Sequence, residues 1–123
     1  LSEFLDHVQT AIAIHGHGRG QDFVYVGGLH QTMAQRFIEI ARPALPEYQW
    51  VCDPEDIPSG LRGLDPKNIV NLPPNQGMQL ELPKALRQTR PSSTGGHLEP
   101  DGDARVLSRL LIGFVDRMMV DGA

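Results

Sequence analysis

The stretch AIAIHGHGRGQDFVYVGG, residues 11–28, sets two apolar runs around a loop of glycines and histidines. A short apolar run bounded by glycine has the pattern of a strand buried on both faces, as in a parallel sheet. TAIAI, residues 10–14, is one such run, and DFVYVGG, residues 22–28, is a second. Gly16, Gly18 and Gly20 let the chain turn tightly between them. His15 closes the first run, at the point where a buried strand meets solvent.

Outward from this stretch the period changes. Leu29, Met33, Phe37 and Ile40 recur at spacings of three and four, which predicts a helix over 29–42 stopped by Pro43 and Pro46. YQWVCD, with Tyr48, Trp50 and Cys52 alternating, predicts a third strand. Residues 54–76 hold five of the ten prolines and predict a long irregular segment, of a length that usually carries function or disorder. GMQLEL, residues 77–82, predicts a fourth strand, and PKALRQT a helix with Pro83 in its first turn. RPSSTGGHLEPDGD predicts a polar loop. Residues 103–120 predict the clearest helix, with Val106, Leu107, Leu110, Leu111, Phe114, Val115, Met118 and Met119 in one stripe and Asp103 as its N-cap. At the other end, LSEFLDHV predicts a short amphipathic helix on Phe4, Leu5 and Val8, capped by Ser2. Strands alternating with helices predict one α/β domain over 1–123.

The 123 residues are 40% hydrophobic and carry a net charge of −4 with scattered arginines. The chain can build a modest core, and the charge argues against a nucleic-acid partner. No apolar stretch is long enough for a bilayer span, so no membrane partner is expected. The single cysteine, Cys52, excludes an internal disulfide and four-cysteine zinc sites. It is compatible with a reducing compartment, and a cytoplasmic location is the expectation. The chain opens on Leu1, from which a missing upstream segment is expected.

In open sheets of this class ligands bind at the carboxyl ends of strands. His15 stands at such an end, where an imidazole flanked by glycine can reach a metal, or can be a turn histidine bonded to backbone. His17 reads as loop surface, and His7, His30 and His97 as solvated side chains. Glu81 shares one strand face with Gln79, while Leu80 and Leu82 take the other. A carboxylate inside a sheet costs several kcal/mol unless paired or placed at an opening. Glu81 is therefore either a general base near the strand's end or a residue on a solvent-facing side. Asn68, Asn71 and Lys67 are ordinary loop residues. Arg62, Lys67 and Arg87 can meet an anionic substrate or simply be solvated.

AIHGHGR, VYVGG, DPKNIVN and GMQLELPKALR, in this order over residues 10–87, resemble the phage and bacterial poly-γ-glutamate hydrolase family. The resemblance implies a zinc-dependent amidase, a metallopeptidase with a three-layer α/β/α, zinc carboxypeptidase-like fold on a mainly parallel, mixed sheet. It makes His15 a zinc ligand and Glu81 the general base. Two motifs depart from the family. The other two zinc ligands belong to an earlier histidine–glutamate segment with no match here, so the chain looks like the C-terminal part of a member, lacking its N-terminal portion. Leu72 stands where an arginine would follow Asn71 and grip a substrate carboxylate, a task left to Asn71 with Arg62 or Arg87.

The expected function is hydrolysis of γ-glutamyl bonds, in a polymer or a small amide, by metal-activated water when the site is complete. The alternatives are a non-catalytic domain of the same fold and a hydrolase of another acyl or N-formyl amino acid. The missing upstream segment would supply the remaining ligands, and without it apolar sheet surface is expected to be exposed unless an oligomer partner covers it.

Overall fold

The computed structural model describes residues 10–120. The expected helix on Phe4, Leu5 and Val8, and His7 with it, lie outside these residues. The four apolar runs form strands of one sheet: β1 (Ala11–Gly16), β2 (Phe23–Gly27), β3 (Gln49–Val51) and β4 (Gly77–Leu82). Their order is β1-β4-β2-β3. β1 runs parallel to β4 and β2 parallel to β3, while β2 and β4 are antiparallel. The sheet is therefore mixed, with two of its three pairings parallel.

Two helices pack on it. The first, α1 (Gln31–Ala44), buries Met33, Ala34, Phe37, Ile38 and Ala41, a stripe at helical spacing. His30 caps its start by accepting the Met33 N–H through Nδ1 at 3.2 Å. Pro43 does not stop this helix as its sequence suggested; it sits inside the last turn, and the helix ends after Ala44. The second, α2 (Asp103–Val120), buries Ala104, Leu107 and Phe114. Val24, Val26, Trp50, Met78, Leu80 and Leu82 form one core with residues of both helices. Both helices thus cover the same face of the sheet among the described residues. Phe37 is fully buried at the centre, edge-on to Trp50 at 6.1 Å and to Phe114 at 5.4 Å.

Residues 54–76 cover the other face. They are punctuated by three short 3-10 turns rather than left structureless. The Gly-Gly that ends β2 makes this seating possible. A side chain at Gly27 would meet the Arg62 carbonyl at 2.1 Å, and Gly28 donates its N–H to that same oxygen at 2.9 Å. PKALRQT forms only a 3-10 turn, Lys84–Arg87. The expected polar loop after it is instead a small hairpin of β5 (Thr89–Pro91) and β6 (Leu98–Pro100). Arg90–Glu99 at 2.9 Å and Arg105–Glu99 at 3.5 Å tie that hairpin to α2. β1 forms one sheet edge, and its Ile14 is 54% exposed. No helix among the described residues is long and apolar enough to cross a membrane.

Asp103 lies within the first turn of α2 and accepts a hydrogen bond from the Tyr48 hydroxyl at 2.7 Å. Burial above all, then this bond and the charges of Asp103, Glu47 and Asp22, hold the phenol protonated far above its usual range.

Two outcomes follow from this packing. Phe37→Ala is expected to cost about 3–5 kcal/mol in chemical denaturation, whereas Val106→Ala on the exposed side of α2 stays within about 0.5 kcal/mol. A Phe37→Ala cost as small as that of Val106→Ala contradicts the assigned core. The Tyr48 phenol ionises near pH 10.0 in the unfolded chain and stays protonated when folded. Its contribution is complete below that pH and is lost as pH rises toward the folded value. Unfolding free energy should therefore fall more steeply above pH 10 in the unaltered chain than in Tyr48→Phe, and equal slopes would contradict the buried bond.

Candidate active site

Parallel pairing of β1 with β4 sets His15 directly beside Glu81, and Ala13 beside Gln79. Antiparallel pairing of β2 with β4 sets Tyr25 on Glu81's other side. Side chains alternate along each strand, so His15, Glu81, Gln79 and Tyr25 share the face turned away from the helices. His15 Nδ1 lies 3.0 Å from Glu81 Oε1.

The two partners differ in exposure. The Glu81 side chain is 4% exposed and that of His15 is 51% exposed. All six residues of β4 are buried, so the solvent-facing strand considered for Glu81 is not what forms. A buried carboxylate needs donors. Glu81 Oε1 receives two, His15 Nδ1 at 3.0 Å and Gln79 Nε2 at 3.1 Å. Its Oε2 takes no hydrogen bond from a described residue. The pair stands near the carboxyl ends of two parallel strands, with one carboxylate oxygen and one imidazole nitrogen that no described residue bonds. Chemically this can accept a proton, orient a water, or contribute one or two donors to a cation.

The neighbouring His17 is not loop surface. It is 7% exposed, with its ring 5.0 Å from that of Tyr25. Its Nε2 donates to the Phe23 carbonyl at 2.7 Å, and its Nδ1 accepts from the Arg19 N–H at 3.0 Å. Those two bonds require the neutral Nε2–H tautomer and leave no nitrogen for a ligand. His17 pins the β1–β2 loop.

The three residues expected to bind substrate occupy different places. Asn71 is 5% exposed and fully engaged. Its Oδ1 accepts from Leu29 N–H at 3.0 Å, and its Nδ2 donates to Gly63 O at 2.7 Å and Asp65 O at 2.9 Å. It fastens the covering segment to the β2–α1 turn. Leu72 beside it is 44% exposed. The Arg87 guanidinium packs over Gly16, bonds to the Leu82 carbonyl at 3.1 Å and the His17 carbonyl at 3.4 Å, and lines a cleft with Ile14, Leu82 and Leu107. That is the helix-covered side, so the structure does not bring Arg87 together with His15 and Glu81. Arg62 belongs to the segment over the Glu81 face. Its Nε donates to the Ile57 carbonyl at 2.8 Å, which leaves its terminal nitrogens without a described partner.

A catalytic zinc takes three protein ligands and keeps one open position. Among the described residues no group of three or more histidine, cysteine, aspartate or glutamate side chains converges in that way. His15 and Glu81 alone do not make such a site.

Comparison with known proteins adds two findings. The family model for poly-gamma-glutamate hydrolase matches residues 1–94. A zinc-free apo structure of YNDL is similar with a TM-score of 0.70 and 19% identity. It covers 93% of this chain, and this chain spans 56% of it. At that identity the likeness speaks for the fold alone. No curated protein matches.

Asn71→Ala should strip the partner from the half-buried Leu29 N–H and from two loop carbonyls. Each buried group left unpaired costs about 1–3 kcal/mol. The expected results are a clear loss of stability and much faster amide hydrogen exchange at Leu29. Unchanged exchange there would contradict the anchoring role.

Proposed function

The chain belongs to the poly-γ-glutamate hydrolase family, and on that premise we propose that it is an amide hydrolase acting on γ-glutamyl bonds, with Glu81 as general base. One observation carries this: a carboxylate buried in the sheet, paired with His15 at 3.0 Å, at the carboxyl ends of two parallel strands. A partly exposed imidazole and a buried carboxylate with one oxygen that no described residue bonds suit proton transfer at an opening, whereas a purely structural pair has no need to reach solvent.

In this proposal Glu81 Oε2 takes the proton of an attacking water. The water oxygen bonds to the scissile carbonyl carbon. The same proton then passes to the leaving amine as the carbon–nitrogen bond breaks, and the carboxylate is restored. His15 holds the carboxylate's other oxygen. Arg62, the one of the three expected substrate-binding residues over the Glu81 face whose terminal nitrogens no described residue engages, is the proposed contact for an anionic group of the substrate. Asn71 contributes by holding the segment that carries Arg62.

Zinc belongs to the same proposal. His15 would be one ligand, and the other donors would have to come from outside the described residues. Polarisation of the scissile carbonyl and acidification of the attacking water are the chemistry such an ion supplies when bound. A carboxypeptidase-like α/β/α arrangement also belongs here, the described residues holding its sheet and one helical layer. The shortage of donors favours one second reading, a non-catalytic domain of the same fold.

The test is turnover of poly-γ-glutamate by the intact protein. Glu81→Gln keeps shape and polarity and is expected to lower kcat about a hundredfold or more. His15→Ala is expected to lower both turnover and zinc content. Normal turnover in Glu81→Gln removes the general-base assignment, and unchanged zinc in His15→Ala removes His15 from the metal. Absence of turnover in the unaltered protein supports the non-catalytic reading.

A further inference from the structure

The second donor on Glu81 Oε1 comes from a residue with no part in the proton transfer. Gln79 precedes Glu81 by two positions on β4 and is 3% exposed. Its Nε2 donates to Glu81 Oε1 at 3.1 Å, and its Oε1 accepts from Asn68 Nδ2 at 3.4 Å. The polarity of this chain is forced from the inside. An ionised carboxylate only accepts. Gln79 must therefore turn its NH2 group toward Glu81 and its carbonyl outward, and Asn68 must answer with its own NH2.

Gly63 closes the remaining side. It has φ +64°, and a Cβ there would stand 2.9 Å from the Gln79 amide carbon and 3.0 Å from its nitrogen and oxygen. The carboxamide is held between a strand, a loop side chain and a loop backbone. His15 is half in solvent, so Gln79 is the better-fixed of the two donors.

We propose that Gln79, held by Asn68 and Gly63, is a positioning residue that fixes the plane of the Glu81 carboxylate and commits Oε1, leaving Oε2 as the proton-accepting oxygen. Both donors converge on Oε1, and no described residue bonds Oε2. A base must lie within a few tenths of an ångström of its working geometry, and a buried second layer of hydrogen bonds is what holds it there. This inference rests on Glu81 being the base.

Two measurements on the intact protein test it. With poly-γ-glutamate as substrate, Gln79→Leu is expected to lower kcat at least about tenfold with KM within about twofold, the signature of a misaligned base rather than a lost substrate contact. Asn68→Ala, at the outer end of the chain, is expected to lower kcat less, again with KM kept; it also serves if Gln79→Leu does not fold. In the nuclear magnetic resonance spectrum of the metal-free protein, the Gln79 side-chain amide signals should move in Glu81→Ala and in Asn68→Ala. If Gln79→Leu and Asn68→Ala keep normal kcat while Glu81→Gln is inactive, positioning by Gln79 is overturned and the general base stands. If Glu81→Gln is active, the general base falls and the positioning role with it. If the Gln79 amide signals ignore both substitutions, the hydrogen-bond chain is absent and the proposal is overturned whatever the turnover.

Discussion

Glu81 puts a carboxylate into the interior strand of a sheet where the whole residue is 3% exposed, and much of the surrounding architecture answers to that burial. A charge in such a place is tolerated only when donors reach it. β1 supplies one through its parallel register with β4, and β4 supplies another from its own Gln79. The segment over 54–76 then covers the face, with Asn68 bonded to Gln79 and Asn71 fastening the cover down. The glycine ending β2 lets the cover's Arg62 carbonyl sit directly on the strand.

The two faces of the sheet consequently do different work. On one, aliphatic and aromatic side chains from β2, β3, β4, α1 and α2 form a continuous core around Phe37. On the other, polar side chains form a linked series from Asn68 through Gln79 and Glu81 to His15. Arg87 belongs to the first face and Arg62 to the segment over the second, which separates two residues that look equivalent in the sequence. Among the described residues no side-chain nitrogen or oxygen sealed from solvent lacks a partner. A sheet can carry so polar a face only on that condition.

The strands were legible because their apolar runs are short and punctuated by glycine, and the assignment of Gln79 and Glu81 to one face follows from alternation alone. The apposition of His15 and Glu81 needed more, since register between strands 66 positions apart is a tertiary fact. The burial of His17 is not legible in the sequence, because its flanking glycines signal a turn and its burial depends on Phe23 and Tyr25 arriving from β2. Asn71 looked like an ordinary loop residue because its three partners are scattered over Leu29, Gly63 and Asp65. The β5–β6 hairpin was invisible because its strands are three residues each and exposed, with charge pairs in place of an apolar stripe. Pro43 has the sequence signature of a stop, but a proline in a last turn forfeits little of the hydrogen-bond ladder when the N–H two residues on, that of Leu45, still reaches Ala41 O at 2.9 Å.

The pairing of His15 with Glu81 is the claim on which the site depends, and the protonation pattern of the His15 ring tests it most directly. In the metal-free protein, nitrogen-15 resonance of the imidazole should show the proton on Nδ1, where it is donated to Glu81 Oε1. Substitution of Glu81 by Ala should abolish that preference. A His15 ring that carries its proton on Nε2 alone, with Nδ1 bare and indifferent to Glu81, would contradict the account.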